Sequence, residues 1–493
     1  MATGWAELVF SGDAARAVLT RAVERGTLRR LARGIYTGAV HDEPAEVVRR
    51  NLLRIVGHAL PGAVLVDRSA RRGGPVGGLL VVDHPRTRAL ELPGVTVLPR
   101  RGQGPVDGDM EMPDGLWIAS VPRQLLDNLE RSRGSARRTL TDAEVEDWVD
   151  TLVSERGETG INGLRDQARA LAPVLGRDRE FRRLDQLLSA ALTTGPVSSL
   201  HSERLRARAA GQPFDAARVA AFAALATDLV SRAPETLPAM QADESRRRLL
   251  PFYEAYFSNY IEGTEFTLDE AASIVFDRAV PTDRPADAHD ILGTYEIVAD
   301  RFEMRRTPGS AEEFEDLLLA RHATLMGGRP DKLPGRFKER ANRAGATEFV
   351  APELVTGTLR ASFQTGTPVT SPFARAVYMM FLTAEVHPFT DGNGRLARIM
   401  MNAELETAGE VPIIIPTVYR NNYLAALRGA THGRHYAALW AMLDFARRWT
   451  AQVDFSSRES TEVDLGRTNA LRDPTEAEAA GVRLVLPASG VRP

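Results

Sequence analysis

Apolar residues follow two different spacings along the chain, and the change of spacing separates an N-terminal region from a longer helical one. Near the N-terminus, short apolar runs lie between Gly- and Pro-rich turns, a pattern that predicts β-strands. These runs cover residues 63–66, 79–82 and 95–98. From residue 140 to 193 the apolar spacing is helical, and helical patterns continue after a predicted linker at 195–199. We therefore expect a mainly α protein with an α+β region at its start.

The polar segment 387–398 lies between two apolar runs, 377–382 and 399–405. This arrangement favours a helix, a tight loop and a second helix. The loop reads His-Pro-Phe-Thr-Asp-Gly-Asn-Gly-Arg-Leu-Ala-Arg. Its glycines at 392 and 394 allow backbone conformations closed to other residues, so successive N–H groups can converge on an anion at a helix N-terminus.

The other residues of this loop have side chains suited to a nucleotide. Arg395 and Arg398 are three positions apart and share a helix face, where guanidinium groups suit phosphate oxygens. Asp391 is a hard oxygen ligand that suits magnesium. His387 titrates near neutrality and can act as a general base. Each residue alone is more often an ordinary cap or surface group, but together they predict a triphosphate site with a base beside it.

This loop resembles the signature of the Fic family, HxFx(D/E)GNGRxxR. Every specified position is matched, by His387, Phe389, Asp391, Gly392, Asn393, Gly394, Arg395 and Arg398. Most Fic proteins transfer AMP from ATP to a protein hydroxyl. The resemblance implies an all-helical Fic domain with a small β-hairpin flap, covering roughly residues 200–450, with ATP as substrate and Mg²⁺ as cofactor.

The resemblance also implies a role for each residue of the signature. His387 deprotonates the Ser, Thr or Tyr hydroxyl of a target protein, and Asp391 holds Mg²⁺. The turn Gly392, Asn393, Gly394 forms the anion hole. Arg395 contacts the phosphates and Arg398 orients the γ-phosphate. Farther along the chain, the weaker candidates for nucleobase contact are Asn421 and Tyr423, for which a core or surface role is equally open.

A second motif, Ser-Asn-Tyr-Ile-Glu-Gly at 258–263, resembles the (S/T)xxxE(G/N) inhibitory motif of self-restrained Fic proteins. It ends an amphipathic helix predicted at 249–263. The motif's positions are Ser258, Glu262 and Gly263, and the resemblance implies that Glu262 pairs with Arg398. The alternative is an ordinary surface glutamate near a helix end. A softer match at 333–338 resembles the opening of the flap, although the continuation to residue 347 departs from the usual pattern. His322 is expected to serve packing.

The N-terminal region has its own resemblance. An amphipathic pattern at 13–25 precedes a basic segment that ends in Ile-Tyr and is typical of a helix followed by a β-wing. It resembles the winged-helix domain of the abortive-infection antitoxin family, which implies DNA contact. The candidate phosphate contacts are Arg25, Arg29, Arg30 and Arg33. The alternative is a small solvated basic face.

The composition is that of an ordinary globular protein and narrows the choice of function. The 493 residues are 26% charged and 43% apolar, with a net charge of −3, so nucleic-acid contact would need a local basic patch. The absence of cysteine excludes disulfides and thiol catalysis. We expect a cytoplasmic protein with no membrane span, from a GC-rich bacterial genome. A homodimer is left open, since members of the Fic family often form dimers.

The predicted organisation has four parts. They are a winged-helix-like domain at 1–45, an α+β antitoxin-like domain at 46–195, a helical Fic region at 196–455 and a disordered tail at 456–493. The predicted function is a protein adenylyltransferase held inactive by Glu262. The alternative is a DNA-binding, antitoxin-like regulator whose Fic half senses a nucleotide or removes AMP.

Overall fold

The computed structural model describes residues 5–132, 137–195, 200–237 and 248–487. The chain divides into two compact units, Met1–Gly211 and Gln212–Pro493, called here unit 1 and unit 2. The structure is mainly helical, with an α+β region in unit 1. Among the described residues, no helix is both long enough and apolar enough to cross a bilayer.

Unit 1 begins with a small antiparallel sheet and one helix. The sheet has the order β1-β3-β2 and is built from β1 (Val9–Phe10), β2 (Arg29–Ala32) and β3 (Ile35–Thr37). Helix α1 (Arg16–Glu24) lies within the helix predicted at 13–25. The β2–β3 hairpin lies where a wing is expected, and Gly34 takes the positive φ of 78° that its turn requires.

A larger mixed sheet forms the core of unit 1. Within the described residues its order is β6-β7-β5-β4-β9-β8, with parallel β5–β7 and β4–β9 pairs. Its strands are β4 (Val64–Leu65), β5 (Leu79–Asp83), β6 (Leu90–Leu92), β7 (Val95–Arg100), β8 (Met110–Met112) and β9 (Leu116–Ile118). The predicted strands at 63–66, 79–82 and 95–98 correspond to β4, β5 and β7. Helices α2 (Pro44–Ala59) and α3 (Asp67–Arg72) also belong to this unit.

Four helices complete unit 1, and the last of them extends the unit beyond the predicted boundary at 195/196. They are α4 (Val121–Asn128), α5 (Asp142–Leu175), α6 (Asp178–Ala191) and α7 (Glu203–Ala209). Arg204 and Arg208 of α7 form ion pairs with Asp150 of α5. These pairs place α7 in unit 1, so the division falls after Gly211 rather than at the predicted boundary, 195/196. Of the predicted linker, residues 196–199 lie outside the described residues.

Unit 2 is helical apart from one short hairpin. The hairpin strands are β10 (Arg343–Ala344) and β11 (Thr347–Glu348). The helices are α8 (Ala216–Val230), α9 (Leu250–Ile261), α10 (Leu268–Asp277), α11 (Pro285–Val298), α12 (Arg301–Met304), α13 (Ala311–Leu325), α14 (Val355–Thr365), α15 (Pro372–Val386), α16 (Asn393–Thr407), α17 (Arg420–Gly433), α18 (Tyr436–Gln452), α19 (Arg458–Arg467) and α20 (Pro474–Ala479).

The centre of unit 2 is the pair α15 and α16, which residues 387–392 join, so the last six residues of the segment 387–398 form the start of α16. Helix α15 is apolar on all sides, and residues 376–383 are all buried, as expected for a helix surrounded by other helices. Helix α16 buries every residue from Leu396 to Ala403. The loop is therefore held at both ends by rigid, buried helices.

The tail predicted to be disordered is ordered as far as residue 487, which corrects that expectation. Helices α19 and α20 begin at Ser457 and Asp473, whose side chains accept hydrogen bonds from the first turns. Apolar residues at wide intervals enter the core of unit 2, among them Leu465, Ala470, Ala477 and Leu484. Although this segment is polar in composition, its few apolar residues are enough for it to fold against the rest of the unit.

Candidate active site

His387 ends helix α15 in a left-handed conformation, with φ 52° and ψ 57°. A non-glycine residue in this region is strained by about 1–2 kcal/mol, so neighbouring contacts must maintain it. Its Nδ1 lies 3.2 Å from the carbonyl of Ala384. A carbonyl only accepts, so Nδ1 carries the proton and Nε2 keeps its lone pair.

The environment of His387 keeps it neutral. The ring of Phe349 stacks on the imidazole, with centroids 3.8 Å apart and planes 7° apart. Burial lowers the pKa of His387 to about 4, and the charge of Lys338 acts in the same direction. At neutral pH the ring is therefore uncharged and able to accept a proton at Nε2.

The loop itself is closed by Asn393 and requires its glycines. The Asn393 Oδ1 accepts from the N–H of Phe389, and its Nδ2 donates to the carbonyl of the same residue, both at 2.9 Å. Gly392 begins α16 with φ 76°. A Cβ on Gly394 would lie 2.2 Å from the Oε1 of Glu262, so this glycine leaves space for that carboxylate.

Arg398 is held by the predicted inhibitory motif. Its Nη2 lies 2.7 Å from the Oε1 of Glu262 and donates to the carbonyl of Ser258 at the same distance. Its Nε donates to the Ser258 Oγ at 3.0 Å. The contact between Glu262 and Arg398 that the resemblance implies is present, and its inhibitory role stays a prediction. Gly263 follows with φ 93°, in the position where glycine commonly ends a helix.

Arg395 has a partner that the sequence did not indicate. Its Nη1 lies 2.8 Å from the Oδ2 of Asp290 on α11 and 3.3 Å from the Oδ1 of Asn259. Asp290 is buried, and burial raises the pKa of its carboxyl. Its Oδ1 has no hydrogen-bond partner among the described residues. Asp290 belongs to no recognisable motif, and only the packing of α11 against α9 and α16 reveals it.

Asp391 is the accessible carboxylate of the loop, with 41% of its side chain exposed. Its Oδ1 accepts from the N–H of Gly392 at 2.7 Å, and its Oδ2 lies 3.6 Å from the Nζ of Lys332. No group of three or more possible metal ligands occurs in the described part of the chain. One accessible carboxylate still fits Mg²⁺, which proteins commonly bind with one or two carboxylates together with substrate phosphates.

His322 does more than fill space. Its Nδ1 accepts from the N–H of Gly335 at 3.0 Å, so its Nε2 donates to the carbonyl of Asp391 at 3.1 Å. The ring also stacks on Phe389, with centroids 3.7 Å apart. His322 therefore positions the part of the loop that precedes the Gly392 turn.

The two predicted nucleobase contacts lie in different environments. Tyr423 is buried, its OH lies 3.5 Å from the Sδ of Met380, and its ring is 5.8 Å from the guanidinium carbon of Arg398. This burial favours the core role that the sequence left open for Tyr423, and base contact by this residue stays a prediction. Asn421 lies in a surface cavity with Glu478, whose Oε2 is 3.5 Å away. Base contact by Asn421 stays a prediction.

The predicted DNA-contacting residues all lie exposed around the hairpin of unit 1; they are Arg25, Arg29, Arg30 and Arg33. Arg29 donates to the carbonyl of Asp42, and Arg30 to that of Ala32. Their exposure agrees with either a nucleic-acid contact or a solvated face, so DNA binding stays a prediction.

The fold and the site define a helical domain with a glycine-rich loop between two buried helices. Residues 313–405, which include the loop and the hairpin, match the model of the Fic/DOC family. The chain therefore carries a Fic domain, as the signature predicts.

The chain is similar to proteins named protein adenylyltransferase Fic. It is 29% identical over 232 residues to the one from Nematostella vectensis, covering 45% of this chain and 53% of the relative. It is 30% identical over 310 residues to the one from Drosophila willistoni, covering 55% and 57%. The chain thus spans about half the length of these curated relatives. Both are eukaryotic, and the bacterial source stays a prediction.

One solved structure that the chain matches is a Fic domain containing signaling protein from Bacteroides thetaiotaomicron. It covers 50% of this chain and 97% of its own length, with 17% identity and a TM-score of 0.38.

Proposed function

We propose that unit 2 is a protein adenylyltransferase that transfers AMP from ATP to a Ser, Thr or Tyr hydroxyl of a target protein. The observation that carries this proposal is the meeting, on one loop, of a neutral imidazole, an accessible carboxylate and two buried arginines. The complete Fic signature and the names of the similar proteins support the same conclusion.

In this reaction the hydroxyl oxygen of the target forms a bond to the α-phosphorus of ATP. The bond from that phosphorus to the oxygen bridging to the β-phosphate breaks, and pyrophosphate leaves. His387 accepts the hydroxyl proton at Nε2, because Nδ1 donates to Ala384. Arg395 and the N–H groups of the glycine turn bind the phosphates and stabilise the charge that moves to pyrophosphate.

Asp391 would hold Mg²⁺ together with the phosphates of ATP. It is the loop carboxylate that solvent reaches, and His322 fixes the backbone from which it projects. When bound, the ion supplies neutralisation of the phosphate charge.

We further propose that Glu262 restrains the reaction. Its carboxylate occupies Arg398 and lies against Gly394 at the start of α16, where the partial positive charge of a helix N-terminus favours an anion. A γ-phosphate would need the same guanidinium and would be repelled by the same carboxylate. ATP that binds while Glu262 is in place would then have its α-phosphate misaligned with His387.

The test is transfer from labelled ATP and Mg²⁺ to proteins of a cell lysate. We expect strong labelling with Glu262→Gly, weak labelling with the unaltered protein, and none with Glu262→Gly/His387→Ala. Mass spectrometry of the labelled proteins would identify the added group and the modified residue. Absence of labelling by Glu262→Gly, or equal labelling by the double variant, would refute the proposal.

A further inference from the structure

Residues 338–349, called here the flap base, contact the start of the loop 387–398 at successive residues. The backbone N–H of Lys338 donates to the carbonyl of Pro388 at 2.9 Å. The Nδ2 of Asn342 donates to the carbonyl of Phe389, also at 2.9 Å. Since Phe349 stacks on His387, three consecutive loop residues are held by one segment.

The side chain of Asn342 is itself oriented by Lys338. The Nζ of Lys338 donates to the Oδ1 of Asn342 at 2.6 Å. An ammonium group only donates, so the Oδ1 must face Lys338 and the Nδ2 must face Phe389. Lys338 is buried, and its Nζ lies 5.9 Å from the centroid of the Phe349 ring. The side-chain amide of Asn342 therefore has one orientation.

The Phe389 carbonyl receives two amide donors. One is the Nδ2 of Asn393 from within the loop, and the other is the Nδ2 of Asn342 from the flap base. Together they use both lone pairs of the carbonyl oxygen. His387 has a left-handed backbone two residues earlier, and contacts at the following carbonyls help to maintain that conformation.

We propose that Asn342, oriented by Lys338, is a positioning residue that holds His387 in place for proton transfer. This inference rests on the proposed adenylyltransferase activity and names residues outside the Fic signature. Lys338 ends the match to the flap opening, and Asn342 lies in the continuation where this chain departs from the usual flap pattern. The hairpin that would dock a target is thereby connected directly to the base that would act on it.

The test uses Asn342→Asp in the Glu262→Gly background. The substitution keeps the size of the side chain and an oxygen facing Lys338, but it replaces the donor to Phe389 with an oxygen that repels the carbonyl. We expect kcat for AMP transfer to fall by about 10²-fold, as for a misplaced catalytic group. The KM for ATP and its calorimetric Kd should stay unchanged, because the glycine turn and both arginines are untouched.

Three further variants separate positioning from folding. Lys338→Arg retains a donor and should keep more of kcat than Lys338→Met, whereas Arg340→Ala, an exposed residue of the same segment, should keep all of it. If Asn342→Asp does not fold, Asn342→Ala and Lys338→Met take its place, and the same quantities are measured: kcat for AMP transfer and the affinity for ATP.

The outcomes distinguish the two proposals. If Glu262→Gly itself transfers no AMP, the proposed function fails and this inference fails with it. If Glu262→Gly is active and Asn342→Asp matches its kcat, only the positioning role is refuted. A fall in ATP affinity equal to the fall in kcat would also refute it, because Asn342 would then be supporting the whole fold.

Discussion

Both units bury arginines beside carboxylates, but water reaches the two sets of ion pairs differently. In unit 1, Arg123 lies 2.6 Å from Asp83 and also pairs with Asp109 and Asp127, and these three carboxylates are at most 2% exposed. In unit 2, Arg398 is also buried, but 36% of the side chain of its partner Glu262 is exposed. We call an ion pair closed when neither partner is exposed to solvent, and open when its carboxylate is exposed. A closed pair can only support the fold, whereas in an open pair an incoming anion can replace the carboxylate on the arginine.

Arg395 is intermediate between these two cases. Its partner Asp290 is buried like the carboxylates of unit 1, but Asn259 and Asp391 lie near the same guanidinium. The comparison therefore predicts a graded series, in which removing a partner costs less stability as the partner becomes more accessible.

The largest effect is expected for Arg123→Met. It leaves the buried carboxylates of Asp83 and Asp109 without their arginine, while Asp127 keeps Arg100 at 2.7 Å. This loss should lower the free energy of unfolding of unit 1 by about 3–5 kcal/mol. Hydrogen exchange of unit 1 peptides would measure the loss. The control is Arg49→Met, whose exposed pair with Glu46 should contribute less than about 1 kcal/mol. Equal losses for the two variants would contradict the distinction between closed and open pairs.

Asp290→Asn should have a smaller effect. The amide keeps an acceptor for Arg395, and Asn259 remains beside it, so we expect a loss of about 1–3 kcal/mol in unit 2. Denaturant unfolding followed by hydrogen exchange of the α11 and α16 peptides would measure it. A loss as large as that of Arg123→Met would place Arg395 among the closed pairs.

Glu262→Gln should change stability least and activity most. The amide is isosteric and can still accept from Arg398, so the free energy of unfolding should change by less than about 1 kcal/mol. Removing the charge should raise the rate of AMP transfer by about 5–150-fold, the factor that corresponds to a typical coupling free energy between two sites. Rates measured with labelled ATP would decide this. A stability loss without a gain in rate would make Glu262 a structural residue.

The pH dependence of the rate of AMP transfer distinguishes a buried base from an exposed one. With a pKa of about 4, which burial lowers from 6.5, His387 stays unprotonated down to mildly acidic pH. The rate of Glu262→Gly should therefore be constant from neutral pH to about 5 and fall as protonation removes the base near 4. A fall centred near 6.5 in the pH–rate profile would show that the imidazole titrates as if exposed.

His322 should affect stability in the same pH range. Burial lowers its pKa to about 4 as well, so between 6.5 and 4 the unfolded chain binds the proton and the folded chain does not. The free energy of unfolding should therefore decrease as the pH falls through this window. Replacement by His322→Gln should remove that part of the dependence in denaturant unfolding measured at several pH values.

The sequence predicted the parts of the site whose chemistry is local. The loop 387–398 and the motif at 258–263 are short, and their residues determine both the helix–loop–helix form and the contact between Glu262 and Arg398. The helical repeat likewise indicated α9 and α15. Periodicity and side-chain type were enough for these features.

Contacts between distant segments could not be predicted in this way. Asp290, Asn342 and Lys338 reach the loop only because helices and the flap base pack around it, and no local pattern distinguishes them from surface residues. The ordered tail was missed for another reason, since its apolar residues are sparse. Ser457 and Asp473, with Pro474 at the start of a helix, were the capping signals that could have indicated it.

The central claim is that Glu262 occupies the place of a γ-phosphate on the loop. The most direct measurement is calorimetric binding of ATP and of ADP, with Mg²⁺, to His387→Ala and to Glu262→Gly/His387→Ala, neither of which should turn over. We predict that removing Glu262 strengthens ATP binding by about tenfold or more and ADP binding much less, because ADP lacks the competing phosphate. Equal changes for the two nucleotides, or no ATP binding to the double variant, would contradict the account.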